Sequence, residues 1–293
     1  MKEQTQAEQK NPEATPATEL LKPKGILATA QRADSVDRKN YRIKGILVGP
    51  SGTGKTQSSL SLPGKKLLID YDNRWETAVG YPNVEIIKLY DPDPESAKGW
   101  LDAEKLKTEL WRTARKARKA HEPFPYDAII EAGLSSMLSY AMNWSLTLNQ
   151  KKGLGDVPAM HHWMPQMFNV EQHIKSMKQL PCHYILEAHL EYTELEDEGT
   201  ALYTPKATGK MRTAIPGWFN ECYRCFSEKQ KGGKIAYFWE TTGFGKWDFL
   251  KSTLNNLGKY WNDPIQIDFD SQKVGFQRLL DLRFGKEKSD ANN

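Results

Sequence analysis

The chain has 293 residues, of which 39% are hydrophobic, and a formal net charge of +4. The sequence contains no run of about 18 apolar residues, which argues against a membrane-spanning protein. It contains three cysteines, an odd and small number that argues against a disulfide framework. We therefore expect a soluble, cytoplasmic protein without a membrane partner, whose mild positive charge permits nucleic-acid binding without requiring it.

The N-terminal residues 1–24 are rich in Glu, Gln, Thr, Pro and Ala and lack the apolar stretch of a signal peptide. This composition predicts a disordered tail. A polar lead-in segment follows over residues 25–40, and a second disordered tail is predicted over residues 285–293. Between them, residues 41–284 are predicted to form a single domain, because no linker is long enough to divide them.

From Tyr41 onward, short apolar runs alternate with longer amphipathic ones. This alternation predicts an α/β fold with a mostly parallel sheet flanked by helices. Strands are expected at 43–48, 66–71, 84–89, 126–130 and 183–190, and helices at 55–62, 95–120, 134–149 and 164–180. The last third of the chain predicts hairpins at 191–203 and 222–241, as an antiparallel C-terminal extension of the same sheet.

The segment Gly49–Thr56 fits G-x-x-x-x-G-K-[ST] at every fixed position and directly follows the first apolar run. In such a P-loop, backbone N–H groups cradle phosphates, Lys55 reaches the β and γ phosphates, and the Thr56 hydroxyl binds Mg²⁺. A chance match in a glycine-rich loop is the alternative, but the flanking strand and helix favour a real P-loop. The predicted nucleotide-binding residues are Gly49, Pro50, Ser51, Gly52, Thr53, Gly54, Lys55, Thr56 and Gln57.

Two carboxylates, Asp70 and Asp72, stand at the end of the second predicted strand. Ligands of an open α/β sheet bind at the edge formed by the carboxyl ends of its strands. Asp72 is therefore a candidate catalytic residue that orients or deprotonates the attacking water. The alternative is that Asp72 only begins a turn or caps a helix.

A third carboxylate, Glu131, lies in a stretch with the shape of a Walker B strand, residues 126–136. In one register Glu131 is the acid that supports Mg²⁺. In the other register the position of that acid is Ala132. The sequence thus predicts either that Glu131 substitutes with a longer arm or that metal binding is weak and turnover slow.

His189 ends the fifth predicted strand and is a candidate sensor of the γ-phosphate, although a purely structural histidine is the alternative. Farther on, the basic loop 205–212 could place Lys210 or Arg212 against phosphates, in the same subunit or across an interface. The alternative for this loop is plain exposure to solvent.

Other features give weaker signals. Cys222 and Cys225 would face opposite sides of a strand, which argues against a metal or redox site. The basic helix 105–119 could meet DNA phosphates or be a solvated surface. The aromatic residues of 237–247 could stack on bases of a single strand or pack against the sheet.

Taken together, these motifs resemble the RecA-like core of phage-type ATPases of the AAA and nucleotide-binding group, which includes short RecA-core single-strand annealing proteins. The resemblance covers roughly residues 41–251. It implies ATP and Mg²⁺ as ligands, a homo-oligomer assembled on single-stranded DNA, and a role in recombination or replication. It also places Asp72 where such proteins carry the catalytic acid, two residues after the acid that ends the second strand. Ala132 departs from the pattern.

The resulting hypothesis is a RecA-like ATPase that is stimulated by single-stranded DNA. Two alternatives remain open. One is a nucleotide-dependent assembly or switch protein that binds a protein partner and not DNA. The other is a small-molecule P-loop kinase, for which segment 206–212 is short as a closing lid.

Overall fold

The fold is described from a computed structural model, which covers residues 41–93, 95–148, 157–195, 200–269 and 275–285, together with residues 25, 28 and 30. The predicted tail 1–24, most of the lead-in segment and residues 286–293 lie outside the described residues. The described residues from Tyr41 onward belong to one compact unit. The predicted domain limits remain predictions.

Strands and helices alternate through the first two thirds of the chain. The strands are β1 (Lys44–Val48), β2 (Lys66–Asp70), β3 (Val84–Lys88), β4 (Ala128–Ala132), β5 (His183–Ala188), β6 (Leu190–Leu195), β7 (Thr200–Pro205), β8 (Glu221–Lys229), β9 (Ile235–Glu240), β10 (Lys251–Ser252) and β11 (Ile265–Ile267). The helices are α1 (Lys55–Leu60), α2 (Lys98–Ala120), α3 (Leu134–Thr147), α4 (Met160–Lys178), α5 (Met211–Ala214) and α6 (Gly275–Phe284). In the described part of the chain, no helix combines the length and apolar character needed to cross a membrane.

The main sheet has the strand order β11-β9-β8-β1-β5-β4-β2-β3, with β10 paired to β8. Strands β8, β1, β5, β4, β2 and β3 run parallel, whereas β9, β10 and β11 pair antiparallel at the C-terminal side. The predicted α/β class, with a mostly parallel sheet and an antiparallel extension, is confirmed.

One detail of the predicted extension is wrong. The first hairpin, β6–β7, forms a separate two-stranded sheet instead of continuing the main one. The reason is topological, because β6 directly follows β5, and β5 is already flanked by β1 and by β4. The predicted turn of this hairpin, residues 196–199, lies outside the described residues.

Buried side chains cover both faces of the main sheet. Successive residues of β1 belong to different halves of the core. Ile46 packs with α2, α3 and α4 on one face of the sheet, and Leu47 packs with α1 and α6 on the other face. Strands buried on both faces consist of continuous apolar runs, as seen in β2 and β4. Each fully buried Leu or Ile contributes about 1.5–3 kcal/mol to this core.

The carboxyl ends of the central parallel strands meet at one edge of the sheet. In the register of the sheet, Asp70 of β2 stands opposite Ala132 of β4, and Ala132 stands opposite Glu187 of β5. The next residue of β5, Ala188, stands opposite Val48, the last residue of β1. The loop between β1 and α1 therefore opens onto the ends of β2, β4 and β5.

Candidate functional site

The loop from Gly49 to Gly54 turns the chain from β1 into the first turn of α1. Gly54, which precedes α1, has a φ of +77°, a conformation that favours glycine. At Gly49 the neighbouring strand is so close that a Cβ atom would lie 2.3 Å from the backbone oxygen of Cys225. The Thr53 hydroxyl donates to the Pro50 carbonyl over 2.8 Å and fixes the loop from within. The predicted P-loop thus forms a tight, glycine-dependent turn that leads into a helix N-terminus, the arrangement that a phosphate cradle requires.

Lys55 lies across this loop. Its Nζ donates to the backbone carbonyls of Gly49 and Pro50, over 2.9 and 2.8 Å. Burial is the main reason why the pKa of Lys55 is lowered from its ordinary value. The ammonium group is therefore already held over the mouth of the loop, where phosphates of a nucleotide would sit.

A cleft of about 340 Å³ opens above the P-loop. It brings together most of the residues predicted for the site, and three of the strands, β2, β4 and β5, contribute residues to it. Its lining comprises Ser51, Gly52, Gly54, Lys55, Thr56, Gln57, Leu68, Asp70, Asp72, Arg74, Thr77, Ala132, Gly133, Glu187, Ala188 and His189.

Asp70 and Asp72 have different functions at the end of β2. The carboxylate of Asp70 accepts the backbone N–H groups of Asp72 and Arg74, over 3.0 and 2.8 Å, and so shapes the turn. Asp72 itself accepts a hydrogen bond from the Ser136 hydroxyl and lies against Gly133, where a Cβ atom would be 2.4 Å from its Oδ1. The turn residue is therefore Asp70, and the side chain of Asp72 lines the cleft.

The sequence reasoning missed Arg74. Its Nη1 donates to the Ser51 hydroxyl over 2.9 Å, so a guanidinium group stands beside the P-loop. A guanidinium can pair with a phosphate in bidentate fashion. The signal that could have indicated Arg74 is its position two residues after Asp72, at the end of the second predicted strand.

Glu187 was missed as well. It is buried on β5 and accepts hydrogen bonds from two hydroxyls of α1, Thr56 over 2.7 Å and Ser59 over 2.6 Å. Burial raises the pKa of Glu187, and the bonds from Ser59 and Thr56 oppose that rise. The available signal was a charged residue within an otherwise apolar strand.

His189 stands immediately after β5 and lines the cleft, as predicted. Burial and the nearby Lys55 ammonium lower its pKa from the ordinary value, which favours the neutral imidazole. Its backbone carbonyl accepts the N–H of Lys206 over 2.7 Å. His189 thus connects the cleft to the start of the basic loop.

The structure does not bring Glu131 to the cleft. Its side chain is fully buried on the opposite face of the sheet, where Tyr71 donates to Oε1 over 2.8 Å and Tyr184 donates to Oε2. His173 of α4 contacts Oε1 through Nε2 at 2.8 Å and contacts Glu104 through Nδ1 at 2.8 Å. Because successive residues of a strand point to opposite faces, Ala132 faces α1 and Glu131 cannot.

This buried network makes a prediction about stability and pH. His173 has its pKa raised to about 9, because the attraction of Glu131 and Glu104 outweighs its burial. Its contribution is complete below the unfolded pKa of about 6.5 and is lost as the pH rises through the folded pKa. Glu131, whose pKa is lowered by His173, contributes above the ordinary glutamate pKa and loses that contribution as the pH falls through its folded pKa. Urea unfolding of the wild type should show both losses, and His173→Gln should not show the alkaline one.

The described residues contain no cluster of three or more His, Cys, Asp or Glu side chains able to hold a metal ion alone. Mg²⁺ does not require such a cluster, since it is usually bound through one or two carboxylates, waters and substrate phosphates. Thr56 and Glu187, in direct contact within the cleft, fit that pattern. The three cysteines are free and buried, with Cys222 and Cys225 in the cores on opposite faces of the sheet.

A second cleft of about 580 Å³ is lined by residues that do not line the first. Its lining includes Trp163 and Gln166 of α4 and two cations of the basic loop, Lys206 and Arg212. Gln166 is buried, and its Oε1 has no hydrogen-bond partner among the described residues, nor has the hydroxyl of Ser135 in the same cleft. Buried polar atoms without a partner are uncommon in folded proteins, so these two distinguish this region of the fold.

The basic helix and the aromatic residues predicted to meet DNA do not line this cleft. On α2, Lys105 pairs with Asp102 at 3.1 Å on the exposed surface. Trp239 is buried in the core, whereas Trp247 stacks on Tyr203 with ring centroids 4.0 Å apart. Of the two cations predicted to contact phosphates, Lys210 is exposed, whereas Arg212 lines the second cleft, where its Nη1 lies 3.9 Å from Oε2 of Glu191.

Comparison with known proteins gives a match to a family model. Among curated proteins, none matches the chain. The family model described as "AAA domain" matches residues 41–248, which include the P-loop, the ends of β2, β4 and β5, and the basic loop. The chain therefore belongs to the AAA-domain family of P-loop NTPases.

Proposed function

We propose that this protein binds Mg-ATP, hydrolyses it, and acts on single-stranded DNA as a homo-oligomer in phage-type recombination, annealing or repair. The observation that carries the DNA part is the second cleft. Two connections join it to the nucleotide cleft: Lys206 donates its N–H to the His189 carbonyl, and Ser135 directly precedes Ser136, which bonds Asp72. Single-stranded DNA bound in the second cleft would thus lie close to the residues that we propose to face the γ-phosphate.

The second cleft has the chemistry of a single-strand site. Such sites combine cations for the backbone with aromatic side chains on which bases stack. Lys206 and Arg212 supply the cations and Trp163 supplies the aromatic surface.

The mechanism follows from the groups around the first cleft. Asp72 accepts a proton or orients the attacking water, and its bond from Ser136 holds it in place. Lys55 and Arg74 neutralise charge that develops on the phosphates. Thr56 and a neighbouring carboxylate would hold Mg²⁺, which shields the phosphate charge when bound with ATP. Neutral His189 can hydrogen-bond to the γ-phosphate and register its loss.

The test is ATP hydrolysis with and without single-stranded oligonucleotide. We expect severalfold stimulation by the oligonucleotide at low salt, since DNA contact through cations weakens as salt rises. Hydrolysis indifferent to DNA would favour the nucleotide-dependent switch. Phosphate transfer to a small acceptor would favour the kinase instead. Either result would contradict the DNA proposal.

Variants of the second cleft test where the single-stranded DNA binds. Trp163→Ala should weaken oligonucleotide binding by about 1–3 kcal/mol, the value of one base–aromatic stack. Lys206→Ala should reduce the slope of log K against log salt by about 0.7, as expected for one single-strand phosphate contact. Lys116→Ala on the exposed face of α2 is the matched control and should leave the slope unchanged. If only the α2 variant changed the slope, the strand would lie on α2.

A further inference from the structure

The nucleotide cleft lacks an acid at the position where the Walker B pattern puts one. In P-loop NTPases, the P-loop Ser or Thr and an acid on a neighbouring strand hold Mg²⁺ together. In this chain that strand position is Ala132, which lines the cleft, and the preceding Glu131 is sealed on the other face. The site thus presents a P-loop threonine without its expected partner.

The strand next to β4 carries a carboxylate, Glu187, at the position paired with Ala132. Glu187 of β5 stands opposite Ala132 in the register and points to the face that α1 covers. Neighbouring strands lie about 4.8 Å apart, so the two positions are adjacent. Two acids at these positions would repel each other. A small, uncharged residue at 132 is consistent with an acid placed at 187.

The hydrogen-bond pattern orients the threonine for a cation. A hydroxyl has one hydrogen to donate and two lone pairs. Thr56 donates its hydrogen to Oε2 of Glu187, which leaves its lone pairs available to a metal. The Ser59 hydroxyl donates to the other oxygen, Oε1, of Glu187. Both oxygens of the carboxylate are therefore held by hydrogen bonds from α1.

We propose that Glu187 is the positioning acid of the Mg²⁺ site, where it orients Thr56 and supplies the negative charge that position 132 lacks. This inference rests on the proposed nucleotide function. Among the described residues, Glu187 is the carboxylate that hydrogen-bonds the P-loop threonine. With the acid on β5 instead of β4, the negative charge still lies beside α1, and Glu131 takes part in the core network.

The test is the gain in ATP affinity that Mg²⁺ produces, measured with a fluorescent ATP analogue in Mg²⁺ and in EDTA. Glu187→Gln keeps the side-chain volume but removes the charge and leaves one acceptor for two hydroxyls. Loss of a group that orients a metal ligand weakens metal affinity by about 10- to 100-fold. We expect the Mg²⁺-dependent gain to fall by that factor, with affinity in EDTA nearly unchanged.

A second variant tests the exchange of positions. Ala132→Asp, added to Glu187→Gln, returns a carboxylate to the adjacent strand and should restore much of the Mg²⁺-dependent gain. Should Glu187→Gln fold poorly, Glu187→Asp keeps the charge on a shorter arm and should show an intermediate loss.

Two results would overturn the inference: an unchanged Mg²⁺ gain in Glu187→Gln, or equal losses in Mg²⁺ and in EDTA, since the latter means that Glu187 only shapes the loop. Absence of recovery by Ala132→Asp would contradict the equivalence of the two positions. A wild type that binds no ATP in either buffer would overturn the proposed function itself.

Discussion

Replacing Lys55 with alanine is expected to lower ATP turnover by about 10²–10³-fold, the usual effect of removing one preorganised group that stabilises transition-state charge. The reason is local. The Nζ of Lys55 donates to the carbonyls of Gly49 and Pro50 at the loop, which leaves the third of its three hydrogens for an incoming phosphate. ATP affinity should fall as well, because the same ammonium contacts the bound phosphates. Both quantities are measured by steady-state hydrolysis and by equilibrium binding of a fluorescent analogue.

The matched control for Lys55→Ala is Lys105→Ala. Lys105 lies on the exposed surface of α2, and its removal should leave turnover and ATP affinity unchanged. Thermal unfolding of both variants should resemble that of the wild type, since the bonds of Lys55 are confined to the loop. A Lys55→Ala protein with unchanged ATP affinity would contradict the assignment of Gly49–Thr56 as the nucleotide site.

The P-loop was predictable because its chemistry is contiguous. Eight successive residues contain the turn, the cation and the hydroxyl, and the flanking strand and helix follow from local apolar pattern. The parallel sheet was predictable for a similar reason, since buried strands such as β2 are continuous apolar runs. Neither inference needed knowledge of which strands are neighbours.

Glu131 and Glu187 required that knowledge. Because β4 is buried on both faces, its apolar pattern does not say which face an inserted acid occupies. Glu131 therefore fitted the Walker B pattern in sequence while its side chain faces α4 in the fold. Glu187 joins the site because β5 lies between β1 and β4, a pairing that the strand pattern does not specify. The second cleft depends likewise on segments far apart in sequence.

The placement of Glu131 leads to the second large effect, which concerns stability instead of catalysis. Glu131→Gln keeps the shape of the side chain but removes the buried carboxylate that Tyr71, Tyr184 and His173 contact. Breaking a buried ion pair by removing one partner costs about 3–5 kcal/mol. We expect a loss near 3 kcal/mol, because His173 can release its proton and so avoid an uncompensated charge. Urea unfolding near pH 7 measures it.

The control variant is Glu104→Gln, which removes the other partner of His173. The side chain of Glu104 is 33% exposed, so water can replace its contact and the expected loss is at most about 1 kcal/mol. The Mg²⁺-dependent gain in ATP affinity separates the two interpretations of Glu131. If Glu131 belongs to the core, the folded Glu131→Gln protein keeps that gain in full. A variant of normal stability that had lost the gain would return Glu131 to the metal site, in the register that the Walker B pattern allowed.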